Sequence, residues 1–359
     1  MNESIFIIAE AGVNHNGSIE LAKELVNKAK ESGADAVKFQ TFKAENLVIR
    51  DAKQADYQVT NLGEATTQYD MLKELELSFE DFKRLKEYCD SLNIEFLSTP
   101  FDIESVDFLI DELQMRIVKI PSGELTNTPF LHYVATKQKK IIISTGMATM
   151  DEIHEALSYL AFGLSKPYEE VKIDKVNSFY KTKEAMEKLQ QFVTVLHCTT
   201  EYPAPYKTIN LNAMKQLEND LQLPIGLSDH SEGIAVPIAA VGAGAKLIEK
   251  HFTIDRQLPG PDHLASLEPN ELFEMIKNIR NVEQALGSGV KAPTSVELSN
   301  RNAARKSLVA SKDIKKDDLL TNENIMVKRP GTGLNPSFYW SLIGTKAKKS
   351  YKKDDLIDK

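Results

Sequence analysis

Short apolar runs alternate with amphipathic segments along the first 285 residues of the chain. Their lengths, and the polar or glycine-containing stretches that bound them, are typical of buried β-strands. We predict strands at residues 5–10, 36–40, 95–99, 117–122, 140–145, 193–198, 224–229 and 246–252. Between the first two, residues 18–33 have apolar positions at helical spacing, with Ser18 as the N-cap and Gly33 at the end.

Eightfold alternation of strand and helix over about 250 residues predicts an α/β fold, a (β/α)8 TIM barrel, rather than an open sheet. Two connections, at 41–92 and 146–192, are longer than the others. We interpret the first as a loop over one end of the barrel. The charged part of the second is interpreted as a surface insertion.

The pattern changes after residue 285, where short apolar runs such as SLVAS (307–311) appear without long helical patterns. We therefore predict three parts. These are a barrel at 1–285, a linker at 286–297 and a small, mostly β domain at 298–359.

Composition and charge narrow the class of protein. A net charge of −8 over 359 residues, without a long basic run, argues against nucleic-acid binding. The two cysteines, Cys89 and Cys198, cannot form a disulfide framework and are interpreted as reduced thiols. The chain also lacks a signal-peptide pattern and any apolar stretch that could span a bilayer, so we expect a cytoplasmic protein without membrane contact.

Polar residues stand near the end of each predicted strand, where TIM-barrel active sites form. Alternation along a strand turns Lys38 and Gln40 towards the barrel interior, and likewise Lys119. Burying two ammonium groups without counter-charge is costly. An anionic ligand could supply that charge. So could carboxylates at other strand ends, namely Glu10, Glu124 and Glu249.

Two histidines are candidate metal ligands. Ser228 and His230 share one face of the seventh strand, and Glu249 and His251 share one face of the eighth. Neutral imidazoles from adjacent strands can converge on one cation, with water or substrate completing its coordination. Ligand type alone favours zinc or a similar transition metal. A lone histidine is more often structural, and we place His197 in that class.

Eight segments in order carry a specific resemblance: IAEAGVNHNG (8–17), VKFQTFKAE (37–45), FLSTPFD (96–102), KIPSGELTN (119–127), ISTGMAT (143–149), LHCTTEYPAP (196–205), GLSDH (226–230) and EKHFTIDRQLPGPDH (249–263). Together they resemble the bacterial sialic-acid synthases, the N-acetylneuraminate and N,N'-diacetyllegionaminate synthase family. KRPGTG (328–333) resembles the SAF, or antifreeze-like, domain of these enzymes. The resemblance covers about residues 5–355.

The resemblance implies a (β/α)8 barrel followed by a small, mostly β SAF domain. It implies condensation of phosphoenolpyruvate with N-acetylmannosamine to give N-acetylneuraminate and phosphate. It also implies a divalent cation, manganese first, with magnesium or cobalt as alternatives, and this expectation replaces zinc.

By motif position, the resemblance implies a role for each of several residues. The residues expected to bind phosphoenolpyruvate are Lys38, Thr99, Lys119, Ser122, Ser144 and Ser228. Those expected to contact the sugar are Gln40, Tyr202, Asp262 and Arg329. Glu10 and Glu124 are the candidate proton-transfer groups, and His230 and His251 the metal ligands. Arg329 is expected to reach sugar bound in a second subunit, which implies a domain-swapped homodimer.

One doublet departs from some relatives. Thr199 and Thr200 stand where these relatives have an asparagine that helps to bind phosphoenolpyruvate. The doublet, with EAGVNHNG and EYPAP, is similar to the branch that makes legionaminic acid. N,N'-diacetyllegionaminate synthesis from 2,4-diacetamido-2,4,6-trideoxymannose is therefore the alternative function.

Two further hypotheses belong to other classes of protein. A Schiff-base aldolase would use Lys38 or Lys119 as its nucleophile. A non-catalytic sugar-binding or ice-binding protein would act through the SAF region.

Overall fold

The computed structural model describes residues 4–62 and 66–358. Backbone contacts divide the chain into two compact units, Met1–Gly287 and Ser288–Lys359. No helix in the described residues is both long enough and apolar enough to cross a membrane.

The first unit is built on eight parallel strands: β1 (Phe6–Gly12), β2 (Ala36–Thr41), β3 (Glu95–Pro100), β4 (Ile117–Ile120), β5 (Lys140–Ser144), β6 (Val193–Cys198), β7 (Ile225–Asp229) and β8 (Leu247–His251). Their order is β3-β2-β1-β8-β7-β6-β5-β4. The two end strands, β3 and β4, lie side by side, so the sheet closes on itself. The predicted barrel is confirmed, and each predicted strand end lies within two residues of the observed one.

Helices follow the strands in the order α1 (Ile19–Glu31), α2 (Ala44–Leu47), α3 (Asp56–Leu62), α4 (Gln68–Leu75), α5 (Phe79–Ser91), α6 (Ile103–Asp107), α7 (Thr128–Thr136), α8 (Met150–Ser165), α9 (Ile173–Tyr180), α10 (Lys183–Phe192), α11 (Tyr206–Ile209), α12 (Ala213–Leu221), α13 (Ala235–Gly242) and α14 (Pro269–Leu286). As predicted, Ser18 Oγ caps α1 by accepting the Leu21 N–H.

The long connection after β2 differs from the predicted loop, because α2 to α5 occupy much of it. Thr67 and Ser78 begin α4 and α5 by accepting backbone N–H groups three residues ahead. The connection after α8 contains α9 and α10, of which Val176, Ala185 and Leu189 are buried. The predicted surface insertion is therefore helical and packs through one face.

The barrel interior has two layers with different chemistry. An apolar layer lies nearer the amino ends of the strands and consists of Ile8, Ala36, Leu97, Ile142, Leu196 and Leu247. Two residues further along the same strands, the side chains are Glu10, Lys38, Thr99, Ser144, Cys198 and Glu249. Because side chains alternate along a strand, these residues point inwards as well, and they form a polar layer at the carboxyl end.

The second unit contains helix α15 (Ser295–Ala304), strands β9 (Ser307–Ala310) and β10 (Ile325–Lys328), and helix α16 (Tyr339–Leu342). The two strands pair antiparallel. Its core consists of Leu308, Ala310, Ile314, Leu320, Ile325, Ala347, Tyr351 and Ile357. Helix α15 begins within the predicted linker, and its signal is a capping box between Thr294 and Glu297.

Candidate active site

A small cavity of about 60 Å³ lies at the carboxyl ends of the barrel strands. Its wall brings together most of the predicted site residues, namely Glu10, Lys38, Gln40, Thr99, Lys119, Ser122, Ser144, Tyr202, Ser228, His230 and His251. Segments from all over the first unit therefore converge at one place, as the alternation of side chains predicts.

Four further residues complete the wall: Phe101, Pro121, Cys198 and Glu249. The sequence predicts Glu249 only as a possible counter-charge and not as a site residue. Its position two residues before His251, on the same face of β8, is the signal that could have placed it there. Cys198 lies two residues after the inward-facing Leu196 on β6, so the same alternation places it in the wall.

Glu249 is the centre of a buried ion-pair network. Its carboxylate lies 2.8 Å from Lys119 Nζ and 3.6 Å from Lys38 Nζ, and it accepts a hydrogen bond of 2.8 Å from Ser228 Oγ. Lys38 Nζ also lies 2.5 Å from Glu10 Oε2 and donates to Thr99 Oγ1 at 2.9 Å. The two lysines therefore have two carboxylates as counter-charges, both of them buried.

The two carboxylates differ in their tendency to hold a proton. The pKa of Glu249 is lowered, because the attraction of Lys119 and Lys38 outweighs burial, which acts to raise it. The pKa of Glu10 is raised to about 7, chiefly by burial, against the attraction of Lys38. For Lys38 itself, burial acts to lower the pKa, but Glu10 and Glu249 outweigh burial and raise it. Of the two carboxylates, Glu10 is thus the one whose pKa lies near neutral pH.

The two cavity histidines are neutral and close together. Their ring centroids are 5.4 Å apart. Burial lowers the pKa of His230 to about 4 and that of His251 well below its usual value. His230 Nδ1 donates to the Thr199 carbonyl oxygen at 2.6 Å, which leaves the lone pair on Nε2, 3.5 Å from Ser228 Oγ in the cavity wall.

The resemblance implies a divalent cation, for which the cavity offers the imidazoles of His230 and His251 as donors. Within residues 4–62 and 66–358, no group of three or more His, Cys, Asp or Glu side chains is arranged to hold a metal ion. The two imidazoles nevertheless suit a cation that takes its other ligands from water or substrate. His251 Nδ1 is buried without a hydrogen-bond partner in the described structure, and His230 is oriented by a backbone carbonyl as metal ligands usually are. The residues therefore fit a two-histidine site.

The threonine doublet contacts two residues of the cavity wall, His230 and Ser122. The Thr199 carbonyl holds His230, and Thr200 Oγ1 lies 3.4 Å from Ser122 Oγ. Gly146 makes this arrangement possible: it has φ +44°, and a Cβ there would lie 2.5 Å from Ser122 Cβ and 2.6 Å from Thr200 Oγ1. A hydroxyl thus stands beside Ser122 at this doublet.

Tyr202 packs against both imidazoles, with its ring centroid 4.1 Å from that of His230 and 5.7 Å from that of His251. Three other predicted residues do not line the cavity. The Glu124 carboxylate accepts a hydrogen bond of 2.7 Å from Asn127. Asp262 is buried in the loop after β8, where burial raises its pKa to about 6. Arg329 belongs to the second unit and donates to the Ala304 carbonyl.

A much larger cavity, of about 1080 Å³, lies at the opposite end of the barrel. Its floor is apolar, with Phe6, Ile117 and Leu247 among its lining residues. Its ionisable lining residues are Lys140, Glu218 and Lys246, and all three are exposed. We place the candidate active site in the smaller cavity, because buried and interacting ionisable groups converge there.

Comparison with known proteins identifies the family of this chain. The sequence model of the NeuB family matches residues 25–291, and that of the SAF domain matches residues 305–359. The chain is 49% identical to the N,N'-diacetyllegionaminic acid synthase of Legionella pneumophila, over 95% of this chain and 90% of that protein. It is 47% identical to the synthase of the same name from Campylobacter jejuni, over 98% of each chain.

A solved structure is similar as well. The N-acetylneuraminic acid (sialic acid) synthetase of Leptospira borgpetersenii superimposes with a TM-score of 0.67 and 32% identity, covering 83% of this chain and 90% of that chain.

Proposed function

This chain belongs to the NeuB family and carries an SAF domain, and we propose that it condenses phosphoenolpyruvate with an N-acetylated, mannosamine-type sugar. The product would be a nine-carbon α-keto acid, with release of phosphate. The observation that carries the proposal is the convergence of two buried lysines and two neutral histidines on one cavity at the barrel mouth.

The lysines provide the charge for a small, strongly anionic substrate. When Glu10 is protonated, Lys38 and Lys119 face the single negative charge of Glu249, and the network carries an excess positive charge. The pKa of Glu10, raised to about 7, makes that state accessible near neutral pH. Hydroxyl groups in the same wall would bind the carboxylate and phosphate, namely those of Thr99, Ser122, Ser144 and Ser228.

Ser144 is the hydroxyl most available to a ligand. Its Oγ is buried and has no oxygen or nitrogen partner in the described part of the chain. A buried hydroxyl of this kind gains a hydrogen bond when a polar substrate enters.

In the proposed reaction, a bond forms between C3 of phosphoenolpyruvate and the aldehyde carbon of the open-chain sugar, and the aldehyde oxygen gains a proton. Water then adds at C2, and phosphate leaves with cleavage of the C–O bond. We propose that Glu10 moves these protons, and its position in the cavity wall and its pKa, raised to about 7, support this role. Glu124 remains the second candidate.

His230 and His251 would hold the divalent cation, with manganese proposed first and magnesium or cobalt as alternatives. A bound cation supplies Lewis-acid polarisation of the sugar aldehyde. The contribution of the chain is to keep both imidazoles neutral and to fix the orientation of His230 through the Thr199 carbonyl.

Gln40 and Tyr202 are proposed to contact the sugar, and both line the cavity. We also propose that Asp262 and Arg329 contact the sugar. Arg329 would do so from the second subunit of a domain-swapped homodimer. The connections that follow several barrel strands carry exposed apolar side chains, which a partner subunit would cover. They are Ile49, Ile103, Met147, Tyr206 and Leu264.

The identity of the sugar is proposed from sequence identity. The two legionaminic acid synthases are 49% and 47% identical to this chain, against 32% for the sialic acid synthetase. This difference favours 2,4-diacetamido-2,4,6-trideoxymannose over N-acetylmannosamine. We also propose a cytoplasmic location, which the two buried free cysteines support.

The Schiff-base alternative is disfavoured by the ion pairs. A lysine nucleophile must lose its proton, whereas the carboxylates around Lys38 raise its pKa and keep it charged. Borohydride treatment in the presence of a keto acid would trap the imine of an aldolase, and we expect no such adduct.

The proposed function is tested by following phosphate release from phosphoenolpyruvate with manganese present. The two candidate sugars are offered separately, with a sugar-free control. We expect release with both sugars or with the diacetamido sugar alone, and loss of activity when a chelator is added. Absence of sugar-dependent release with either one would contradict the proposal.

A further inference from the structure

A buried ion pair that the proposed reaction does not use lies next to the two cavity histidines. Asp229 and Lys250 are directly opposite each other on β7 and β8, and both are almost completely buried. Lys250 Nζ lies 2.6 Å from Asp229 Oδ2 and also donates to the Ser231 carbonyl oxygen. Since side chains alternate along strands, this pair faces the helix layer, whereas His230 and His251 face the cavity.

Asp229 also fixes the backbone around His230. Its Oδ1 accepts the Ser231 N–H at 3.1 Å, and its Oδ2 accepts the Ser231 hydroxyl at 2.9 Å. These bonds close a tight turn across residue 230, as Asx turns do. The imidazole of the same residue is held from the other side by the Thr199 carbonyl. Both the backbone and the ring of His230 are therefore constrained.

Lys250 connects this turn to the second histidine, because His251 is the next residue on β8. The ion pair and the Ser231 contacts thus join the two chain segments that carry the imidazoles. Building on the proposed cation site, we propose that Asp229, Ser231 and Lys250 form a clamp that sets the spacing of His230 and His251 and so increases affinity for a divalent cation. These three are positioning residues, since none of them lines the cavity.

Packing alone does not account for the pair. The preceding helix-facing residues of the same strands are Leu227 and Ile248, which are also register partners and belong to the apolar core. A buried ion pair is often no more stabilising than apolar residues of similar volume. Unlike apolar residues, the charged pair makes directional contacts. Four hydrogen bonds link Asp229, Ser231 and Lys250 in one arrangement.

The experiment measures Mn²⁺ affinity without substrate, by calorimetry or electron paramagnetic resonance, on the full-length protein. Lys250→Met is compared with Lys246→Met, a matched change of an exposed lysine just before the same strand. Affinity for phosphoenolpyruvate without added metal and the melting temperature are measured in parallel. For Lys250→Met we expect the Kd for Mn²⁺ to rise about ten- to hundredfold, as on loss of groups that orient metal ligands. The Kd for phosphoenolpyruvate should stay within about threefold, and Lys246→Met should match the wild type.

Two more variants keep the test decisive if Lys250→Met fails to fold. Asp229→Asn/Lys250→Met removes both charges, and asparagine at position 229 can still accept the Ser231 N–H. Ser231→Ala removes a single hydrogen bond and should raise the Kd by a smaller factor.

A folded clamp variant that binds Mn²⁺ as tightly as the wild type would overturn the clamp. Equal losses of Mn²⁺ and phosphoenolpyruvate affinity would overturn it too, since they would indicate general disruption of the cavity. If the wild type itself bound no Mn²⁺, the proposed cation site would fail, and the clamp with it.

Discussion

The two ends of the barrel differ in the size of their cavities and in the burial of their ionisable residues, and the larger cavity is not the one with buried charges. The floor of the barrel, where the amino ends of the strands lie, holds a cavity of about 1080 Å³. The mouth, at the carboxyl ends of the strands, holds one of about 60 Å³. At the floor, the ionisable lining residues Lys140, Glu218 and Lys246 are exposed. At the mouth, Lys38, Lys119, Glu10 and Glu249 are buried and paired with one another.

The difference arises within a step of two residues along each strand. Ile8 and Leu247 belong to the apolar layer, and Glu10 and Glu249 follow them on the same inward face. Desolvation then makes each charge at the mouth dependent on its partner, whereas charges at the floor remain in water. The ability of a barrel end to bind and react with a substrate therefore depends on burial of interacting ionisable groups rather than on the volume of its cavity.

The largest expected effect comes from a matched pair of lysines on adjacent strands. Lys119→Met removes a buried ammonium at the mouth, and Lys140→Met removes an exposed one at the floor. We expect kcat/KM for phosphoenolpyruvate to fall about 10³-fold in the first variant, about 4 kcal/mol, because an anion loses a desolvated charge partner. The second variant should stay within about twofold of the wild type. Steady-state kinetics of both variants check this, and similar losses at the two ends would remove the distinction between them.

The next effect is on stability and depends on pH. The pKa of Glu10 is raised from 4.5 to about 7, so the folded protein keeps a proton that the unfolded chain loses across this range. The stability of the wild type relative to Glu10→Gln should therefore fall as pH rises from 4.5 to 7, by up to about 3 kcal/mol. Urea unfolding of both proteins across this range measures the difference. A stability difference between the two proteins that does not change with pH would show that the pKa of Glu10 is not raised.

A smaller loss is expected for the cation site. His230→Ala removes one of the two imidazoles in the cavity, and His197→Ala removes one that bonds to the Ile209 carbonyl outside it. The first should weaken Mn²⁺ binding about 100-fold, and the second should leave it unchanged. Calorimetric titration of each folded variant with Mn²⁺ tests the assignment. Unchanged binding by His230→Ala would rule out that residue as a ligand.

The smallest effect concerns the second unit. If Arg329 contacts the sugar of a partner subunit, Arg329→Ala should raise KM for the sugar about tenfold. KM for phosphoenolpyruvate should change far less, because its proposed ligands all belong to the first unit. Initial rates with each substrate varied in turn give both values. Equal changes in the two KM values would argue against the cross-subunit contact.

Most of the barrel could be predicted because its signal is local. Apolar runs of strand length and capped amphipathic helices are visible in the sequence, and the parity of side chains correctly turns Lys38, Gln40 and Lys119 into the cavity. Parity also turns Glu249 towards the cavity, although the sequence alone indicates it only as a counter-charge. The capping box that begins α15 was missed in a stretch whose glycine and proline suggested a linker.

Other features depend on contacts that no local pattern shows. Burial raises the pKa of Glu10, whereas the pKa of Glu249 is lowered because Lys119 and Lys38 approach its carboxylate from other strands. Glu124 follows β4 in a short helical turn rather than on a strand, so parity gives no direction for its side chain. The buried link from Lys250 to Ser231 likewise requires the register of β7 against β8.

The most direct test of the central claim is a crystal structure of the protein with phosphoenolpyruvate and Mn²⁺. We expect the phosphoenolpyruvate to lie at the barrel mouth between Lys38 and Lys119, with the cation bound by His230 and His251. Ligand in the larger cavity at the floor, or a cation held by other side chains, would contradict it.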